Sequence, residues 1–204
     1  MVNGYSFTPE KWSLEAYQYI ANEWATIGRA YLMTILVTVI GTALSLVITS
    51  TFAFAVSNDK LPGHKILMFL CIFTMLFNGG LVASYYVYSN IFHIKNTIWA
   101  LIVPTFLMSP FNVVLVKNYF SNSISPSILE AARMDGAGVF AVFTKIVMPL
   151  SVPIMATVGL MTAIGYWNDW TNGLYYLTEN GGSQYYTIQL VLNRINENIN
   201  FSGK

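Results

Sequence analysis

Charged residues are scarce in this chain, and that scarcity excludes most classes of soluble protein. Asp, Glu, Lys and Arg make up only 9% of the 204 residues, whereas hydrophobic residues make up 55%. A soluble domain carries about a quarter charged residues, so the composition predicts a membrane protein. The net charge of +1 also lacks the basic surplus with which nucleic-acid-binding proteins neutralise phosphates, and no nucleic-acid partner is predicted.

Cysteine and histidine are equally rare. The single cysteine, Cys71, excludes an internal disulfide, and the two histidines, His64 and His93, exclude a zinc site built from His and Cys, so no metal site is predicted. We interpret Cys71, which lies in an apolar run, as a small residue facing lipid or the protein core. The chain contains no Gly-x-x-x-x-Gly-Lys-Ser/Thr phosphate loop, so we predict neither catalytic residues nor a bound nucleotide.

The chain does have four uncharged runs that are long enough to cross a bilayer. A hydrocarbon core of about 30 Å requires roughly 20 apolar residues in a helix, and lipid offers no hydrogen-bond partner to an irregular backbone. The sequence therefore predicts an all-α, polytopic helical bundle flanked by segments 1–30 and 169–204. The predicted spans are 31–56, 66–91, 96–116 and 146–168.

Small and helix-breaking residues mark particular points in these spans. Small residues recur every four positions in the first span, which predicts the close approach of another helix unless they only reflect membrane-helix composition: Gly41, Ser45, Thr49 and Ala53. Asn78, Gly79 and Gly80 interrupt the second span, either as an unwound point facing a cavity or as a plain kink with Asn78 bonded to another helix. Kinks are predicted at four prolines: Pro104, Pro110, Pro149 and Pro153.

Basic residues set the predicted orientation. The connections 57–65 and 117–145 carry Lys60, Lys65, Lys117, Arg133 and Lys145, whereas the connection 93–95 carries only Lys95. The excess of positive charge places the connections 57–65 and 117–145 in the cytoplasm and both tails outside. Because an outward N-terminal tail of this length usually follows an earlier span, we interpret the chain as an internal piece or a shortened version of a larger membrane protein.

The connection 117–145 carries the most specific pattern. Ser125 and Pro126 are typical of a helix start, with Glu130 near the positive end of the helix dipole. Gly136 can end that helix in the left-handed conformation. A second helix is predicted over 139–147, with Phe140, Phe143 and Val147 on one face. This helix-elbow-helix arrangement predicts a docking element for a groove on another protein.

These residues resemble the EAA loop of binding-protein-dependent ABC transporter permeases. The match comprises Glu130, Ala131, Ala132, Asp135, Gly136, Ala137, Ile146 and Pro149. In that family the loop docks on cytoplasmic ATP-binding subunits, so the resemblance implies that these residues couple this chain to an ATPase. The alternative for the charged pair is that Glu130 and Arg133, at i and i+3, bind each other.

Residues 5–195 also resemble carbohydrate-uptake permeases, in particular the branch for oligosaccharides and aldouronate-like sugars. The resemblance rests on the motifs around Asn78–Leu81, Trp99–Ile102, Phe111–Asn112, Pro149–Pro153 and Tyr166–Trp170. It implies the type I ABC importer permease fold, from which the first and last spans would be missing. It also implies a multi-pass position in the bacterial inner membrane, in contact with lipid. Its implied partners are ATP-binding subunits that carry the ATP and Mg, a second permease subunit, an extracellular solute-binding protein and a sugar.

Two sets of residues are candidates for recognition outside the coupling loop. Asn78, Gly79, Gly80, Trp167 and Asn168 are predicted to line the sugar path, together with the tyrosines Tyr85, Tyr86 and Tyr88. The alternative for the aromatic residues is a membrane-interface position. By resemblance, the outward segment contacts the binding protein through Asn180, Gly181, Gly182, Ser183 and Gln184, with an idle surface turn as the alternative.

The competing functions are an ion-coupled secondary transporter and a non-transporting membrane scaffold fragment. A carrier driven by protons or sodium usually needs ionisable residues within the membrane, and none lies inside the four runs. A carrier would also leave the docking-type loop without a purpose. The sequence therefore favours an ATP-driven permease subunit that is not itself an enzyme.

Overall fold

The computed structural model describes residues 24–202 except Lys60, and the regular elements within that part of the chain are all helical. The predicted all-α class is therefore confirmed there. Lys60 and most of the predicted outer N-terminal segment 1–30 lie outside the described residues. The helices are α1 Trp24–Ser57, α2 His64–Leu76, α3 Gly80–Tyr86, α4 Trp99–Ile102, α5 Pro110–Ser123, α6 Pro126–Met134, α7 Val139–Val142, α8 Met148–Leu150, α9 Val152–Asn168, α10 Thr171–Tyr176, α11 Glu179–Gly182 and α12 Ile188–Ser202.

Helix α1 is the centre of the bundle and packs against α9, α5, α2 and α12. Among the described residues, it is the one helix that is long and apolar enough to cross a bilayer by itself. Its four predicted small residues are all buried. A Cβ added at Gly41 would lie 2.5 Å from the Tyr166 ring of α9, so the predicted close approach of a second helix is confirmed.

The predicted span 66–91 is broken in the middle, at the residues where the sequence predicts either an unwound point or a kink. Helices α2 and α3, the latter extended by a π-helical turn over Val87–Ile91, meet at an angle of 118°. At the break, Gly80 has a left-handed φ of 80° and donates its N–H to Asn78 Oδ1 at 2.9 Å. Asn78 therefore bonds locally instead of to a neighbouring helix, and the prediction of an unwound point is confirmed.

The predicted helix 96–116 is also interrupted. Helix α4 ends at Ile102, α5 begins at Pro110, and Thr105 between them has a left-handed φ of 72°. Proline lacks an N–H and disfavours helix in the preceding residue, so Pro104 and Pro110 do not allow a continuous helix. Side chains of other elements bond the carbonyls left free: Tyr166 donates to Ile102 O at 2.8 Å and Ser45 to Phe106 O at 3.1 Å.

The predicted span 146–168 is helical but bent at Ser151, between α8 and α9. The segment Val139–Leu150, which contains a π-helical turn over Phe143–Val147, meets α9 at 79°. Pro149 and Pro153 flank this bend, as expected for residues that remove intrahelical hydrogen bonds. If each bent pair forms one span, the described residues supply up to three spans. The crossing of the membrane by 96–116 stays a prediction.

The connections separate into two ends, as the sequence predicts. At one end, a single cavity is lined by residues of 57–59 and of 120–133, and the Phe54 and Phe143 rings lie 5.0 Å apart. At the other end, the N–H of Asn96 donates to Tyr176 O at 3.0 Å. We call these the elbow end and the outer end; their sides of the membrane stay predictions.

Candidate functional site

The predicted helix-elbow-helix motif forms as expected at the elbow end. Helix α6 begins at Pro126 after the extended residue Ser125 and ends before Gly136, which has a left-handed φ of 79°. Ala137 N–H bonds to Ala132 O at 3.0 Å and Gly136 N–H to Arg133 O at 3.1 Å. This pair of bonds is the Schellman ending, in which a glycine reverses the chain while the last carbonyls stay paired.

The elbow exposes both polar and large apolar side chains, since Met134 is 89% exposed. None of the residues of α6 is fully buried. Ala132 and Ala137 pack against the hydrophobic core, while Glu130, Ala131, Asp135 and Gly136 are exposed. Of the other predicted coupling residues, Ile146 is half-buried and Pro149 is exposed. The predicted set is therefore divided between an inner side that holds the elbow and an outer side that is free to dock.

Three details of the elbow differ from the sequence prediction. The Ser125 hydroxyl shares a 2.8 Å hydrogen bond with the Ser127 hydroxyl and does not cap the helix backbone. Glu130 lies beyond the first turn of α6. The π-helical turn over Phe143–Val147 changes the helical periodicity, and Phe140 and Val147 do not share a face: Phe140 is 78% exposed, whereas Val147 is 1% exposed.

A cavity of about 260 Å³ lies behind the elbow and includes Asp59, Glu130 and Arg133 in its lining. Within the described part of the chain, the ion pairs are His64 with Asp59 at 3.6 Å and Arg194 with Glu179 at 2.9 Å. The alternative in which Glu130 and Arg133 bind each other is therefore wrong in this conformation.

The outer end contains a larger cavity of about 400 Å³ beside the break between α2 and α3. Its lining residues carry no formal charge and combine amides, hydroxyls and aromatic rings: Asn78, Gly80, Leu81, Ser84, Tyr88, Pro104, Thr105, Thr171, Asn172, Tyr175 and Tyr176. The structure thus brings the predicted path residues Asn78 and Gly80 together with Tyr88. Gly79 is exposed beside them, and neither Trp167 nor Asn168 lines this cavity.

Asn172 is a cavity residue that the sequence analysis missed. Its amide donates to Pro104 O at 3.3 Å, and its Oδ1 accepts a long hydrogen bond from Thr105 at 3.5 Å. Asp169 starts α10 by accepting the N–H groups of Thr171 and Asn172 at 3.0 and 3.2 Å. Burial raises the pKa of the Asp169 carboxyl above its ordinary value, although these hydrogen bonds act to lower it.

Tyrosines form one wall of the cavity. The Tyr176 ring stacks on Tyr85 at 5.7 Å and meets Tyr88 edge-on at 6.1 Å between ring centroids. Lys95 Nζ donates to the Tyr85 hydroxyl at 2.8 Å, behind this wall. Burial raises the pKa of the Tyr176 phenol, and the neighbouring tyrosines raise it further, so this phenol stays neutral. Tyr175 and Tyr176 are the last residues of α10, and sequence spacing does not show that they lie near Asn78.

The segment predicted to contact the binding protein is helical and not a loop. Its first part is α11, and Ser183–Tyr185 form a 3-10 turn. Asn180, Gly181, Ser183 and Gln184 are exposed, whereas Gly182 is buried and cannot offer a surface contact. Four of the five predicted contact residues therefore remain available for docking.

Comparison with known proteins places these features in a family. Residues 44–203 match the family described as "Binding-protein-dependent transport system inner membrane component". The polygalacturonan/rhamnogalacturonan transport system permease protein YtcP of Bacillus subtilis (strain 168) is 40% identical over 187 residues, which cover 92% of this chain and 63% of that protein. Protein LplC of the same organism is 35% identical, with 92% and 61% covered.

A solved structure supports the same relationship. A chain of a bacterial ABC transporter involved in the import of the acidic polysaccharide alginate superposes with a TM-score of 0.83 at 29% identity. The superposition covers 94% of this chain and 66% of that one. The chain thus spans about three fifths to two thirds of the length of these relatives. Both the family match and the relatives lead to one conclusion: the chain belongs to the binding-protein-dependent transport system inner membrane components.

Proposed function

We propose that this chain is a membrane permease subunit of an ATP-driven ABC importer that takes up a carbohydrate, namely an oligosaccharide. Its family is one of transport components and not of enzymes. The observation that carries the proposal is the exposed elbow. A helix with no fully buried residue, ended by a left-handed glycine and backed by core-packed alanines, is suited to a groove on a soluble partner.

The coupling step follows from this geometry. ATP binding would close the ATP-binding subunits, and a docked α6 would move with them. Ala132, Ala137 and the Phe54–Phe143 contact connect the elbow to the core around α1, so that movement would reach the spans. The ATP-binding subunits supply ATP and Mg, while this chain binds no cofactor. A second permease subunit would complete the path in the bacterial inner membrane.

The outer cavity is the proposed contact with the sugar. Carbohydrates are bound by aromatic faces together with hydroxyl and amide groups at their edges, and the cavity provides Tyr88, Tyr175, Asn78 and Asn172 in one place. Two of the relatives named above are described as proteins for the transport of polygalacturonan/rhamnogalacturonan and for the import of alginate. We assign this chain the same broad substrate class, delivered by an extracellular binding protein.

The proposal is tested on the assembled transporter. The complex of this chain, its partner permease and the ATP-binding subunits is reconstituted in liposomes with the binding protein and a uronate or neutral oligosaccharide. ATP-dependent uptake is then measured for the wild type and for Asp135→Arg, which reverses the charge on the exposed side of the elbow. We expect loss of uptake and of uptake-coupled ATP hydrolysis.

The matched control is Asn122→Arg, which adds a positive charge at an exposed position of α5. It should leave uptake near the wild-type rate. Uptake that follows a sodium or proton gradient without ATP, and that Asp135→Arg does not change, would overturn the permease proposal in favour of a carrier. Assembly of both variants is checked by co-purification.

A further inference from the structure

Asn96 lies in the connection between α3 and α4, and three observations join it to the outward helix α11. It has a left-handed φ of 57°, which asparagine tolerates better than most other residues. In that conformation its backbone N–H reaches Tyr176 O at 3.0 Å. Its side-chain Oδ1 accepts from the Thr178 N–H at 2.7 Å and from the Thr178 hydroxyl at 3.1 Å.

The glycines of α11 fit around this side chain. A Cβ added at Gly181 would lie 2.9 Å from Asn96 Nδ2, and one added at Gly182 would lie 2.7 Å from Asn96 Oδ1. Gly182 has an ordinary negative φ of −121°. The second glycine is therefore explained by the space that Asn96 and Leu177 occupy and not by a turn that needs positive φ, since the same Cβ would also lie 3.0 Å from Leu177 Cβ.

A second contact holds the other side of the same segment. Arg194 of α12 bonds to Glu179 at 2.9 Å and stacks over the Tyr186 ring at 4.4 Å. The polar residues Asn180, Ser183 and Gln184 remain exposed between these two attachments. The segment is thus fixed at its base while its outer surface is free.

We infer that Asn96 is a positioning residue for the docking of the binding protein, and that it links the docked helix α11 to the tyrosine wall of the cavity. One side of Asn96 holds Thr178 at the start of α11, and its N–H holds the carbonyl of Tyr176, which lines the cavity. This inference rests on the proposed function, because it assigns Asn96 a role in the importer cycle.

The test uses Asn96→Gly in the complete complex. Glycine keeps the left-handed backbone but removes the acceptor for both Thr178 donors. The half-saturating concentration of binding protein for stimulation of ATP hydrolysis should rise about five- to tenfold. The unstimulated hydrolysis rate should stay unchanged. Amide hydrogen exchange should increase at residues 178–182.

Three further variants separate positioning from general damage. Asn96→Asp keeps an oxygen acceptor, so its half-saturating concentration of binding protein should stay close to the wild-type value. Gly182→Ala, which crowds Asn96 Oδ1, should shift half-saturation in the same direction as Asn96→Gly. Asn90→Gly, an exposed position on the same connection, is the control and should not shift it.

The outcomes distinguish the inference from the function on which it rests. A wild-type complex whose ATP hydrolysis does not respond to the binding protein would overturn the proposed importer. A responsive wild type with the same half-saturation in Asn96→Gly and Gly182→Ala would overturn the role of Asn96 alone. Lower thermal stability without a shift in half-saturation would assign Asn96 a purely structural role and also contradict the inference.

Discussion

The elbow end and the outer end of this chain are built in opposite ways. At the elbow end, the proposed docking helix α6 is attached to the core through a few apolar side chains and has no fully buried residue. At the outer end, short segments are held by hydrogen bonds that the side chains of Asn96 and Asp169 accept and by the Arg194–Glu179 ion pair.

The difference shows how one chain can serve two kinds of contact. An apolar attachment is non-directional, so a docked helix can be pushed or pulled without breaking specific bonds. Hydrogen bonds are directional and costly to leave unmade, so they fix the shape of the outer surface and the cavity beneath it. We therefore expect mutations at the elbow to affect coupling and mutations at the outer end to affect recognition.

The largest effect is expected from Gly136→Val. A β-branched residue at a φ of 79° is strained by about 1–3 kcal/mol, and the elbow would change its angle to relieve that strain. ATP hydrolysis stimulated by substrate-loaded binding protein should fall to the unstimulated rate, as measured by phosphate release in liposomes.

Gly138→Val is the matched control for this prediction. Gly138 has an ordinary φ of −68°, and a Cβ there would meet no atom within 4 Å. Equal loss of coupling in both variants would mean that bulk near the elbow, and not its left-handed turn, is what matters.

A smaller effect is expected from Gly41→Ala, which should lower the thermal stability of the chain at both ends. The new Cβ would lie within 2.9 Å of three ring carbons of Tyr166, which is fully buried and bonded to Ile102 O. Overpacking of this kind costs about 1–3 kcal/mol, so the thermal midpoint of the detergent-solubilised complex should fall. Gly28→Ala, on the same helix with no atom within 4 Å, should leave the midpoint unchanged or raise it. An unchanged midpoint in both variants would argue against a tight contact between α1 and α9.

The smallest effect is expected from Tyr175→Ala in the outer cavity. Loss of one aromatic face from a partly exposed wall should raise the sugar concentration for half-maximal uptake about fivefold while the elbow still couples. Trp167→Ala is the comparison, because Trp167 is aromatic and partly exposed but does not line the cavity. If Trp167→Ala gives the larger shift, the sugar path lies along α9 instead.

The local features of the chain could be predicted because they depend on short-range chemistry. The helix start at Pro126, the left-handed Gly136 and the small-residue face with Gly41 each follow from residue type and spacing. The unwound point at Asn78 was predictable for the same reason. What the sequence did not show is the loss of helix over 103–109, because hydrophobicity alone does not tell where side chains such as Tyr166 and Ser45 will replace backbone partners.

The residues of the cavity wall could not be predicted from the sequence for a related reason. Asn172 and Tyr176 lie far along the chain from Asn78, and tertiary contacts bring them together: α10 packs against α4, and Tyr176 packs against Tyr88. The candidate residues Trp167 and Asn168 had suitable chemistry, but they point elsewhere, with the Asn168 amide donating to Ile164 O at 2.9 Å within its own helix. Chemistry identifies candidates, whereas tertiary contacts decide which of them share a cavity.

The non-helical stretch 103–109 restricts how this subunit can change shape. Tyr166 of α9 bonds to Ile102 O just before this stretch, and Asn172 of α10 and Ser45 of α1 bond to carbonyls within it, so sliding any of these helices past another would leave a polar group without a partner. The three helices and the stretch between them should therefore travel as a single block. The α2–α3 arm differs from this block, because its break at Asn78 carries no comparable bond to its neighbours among the hydrogen bonds of the described residues.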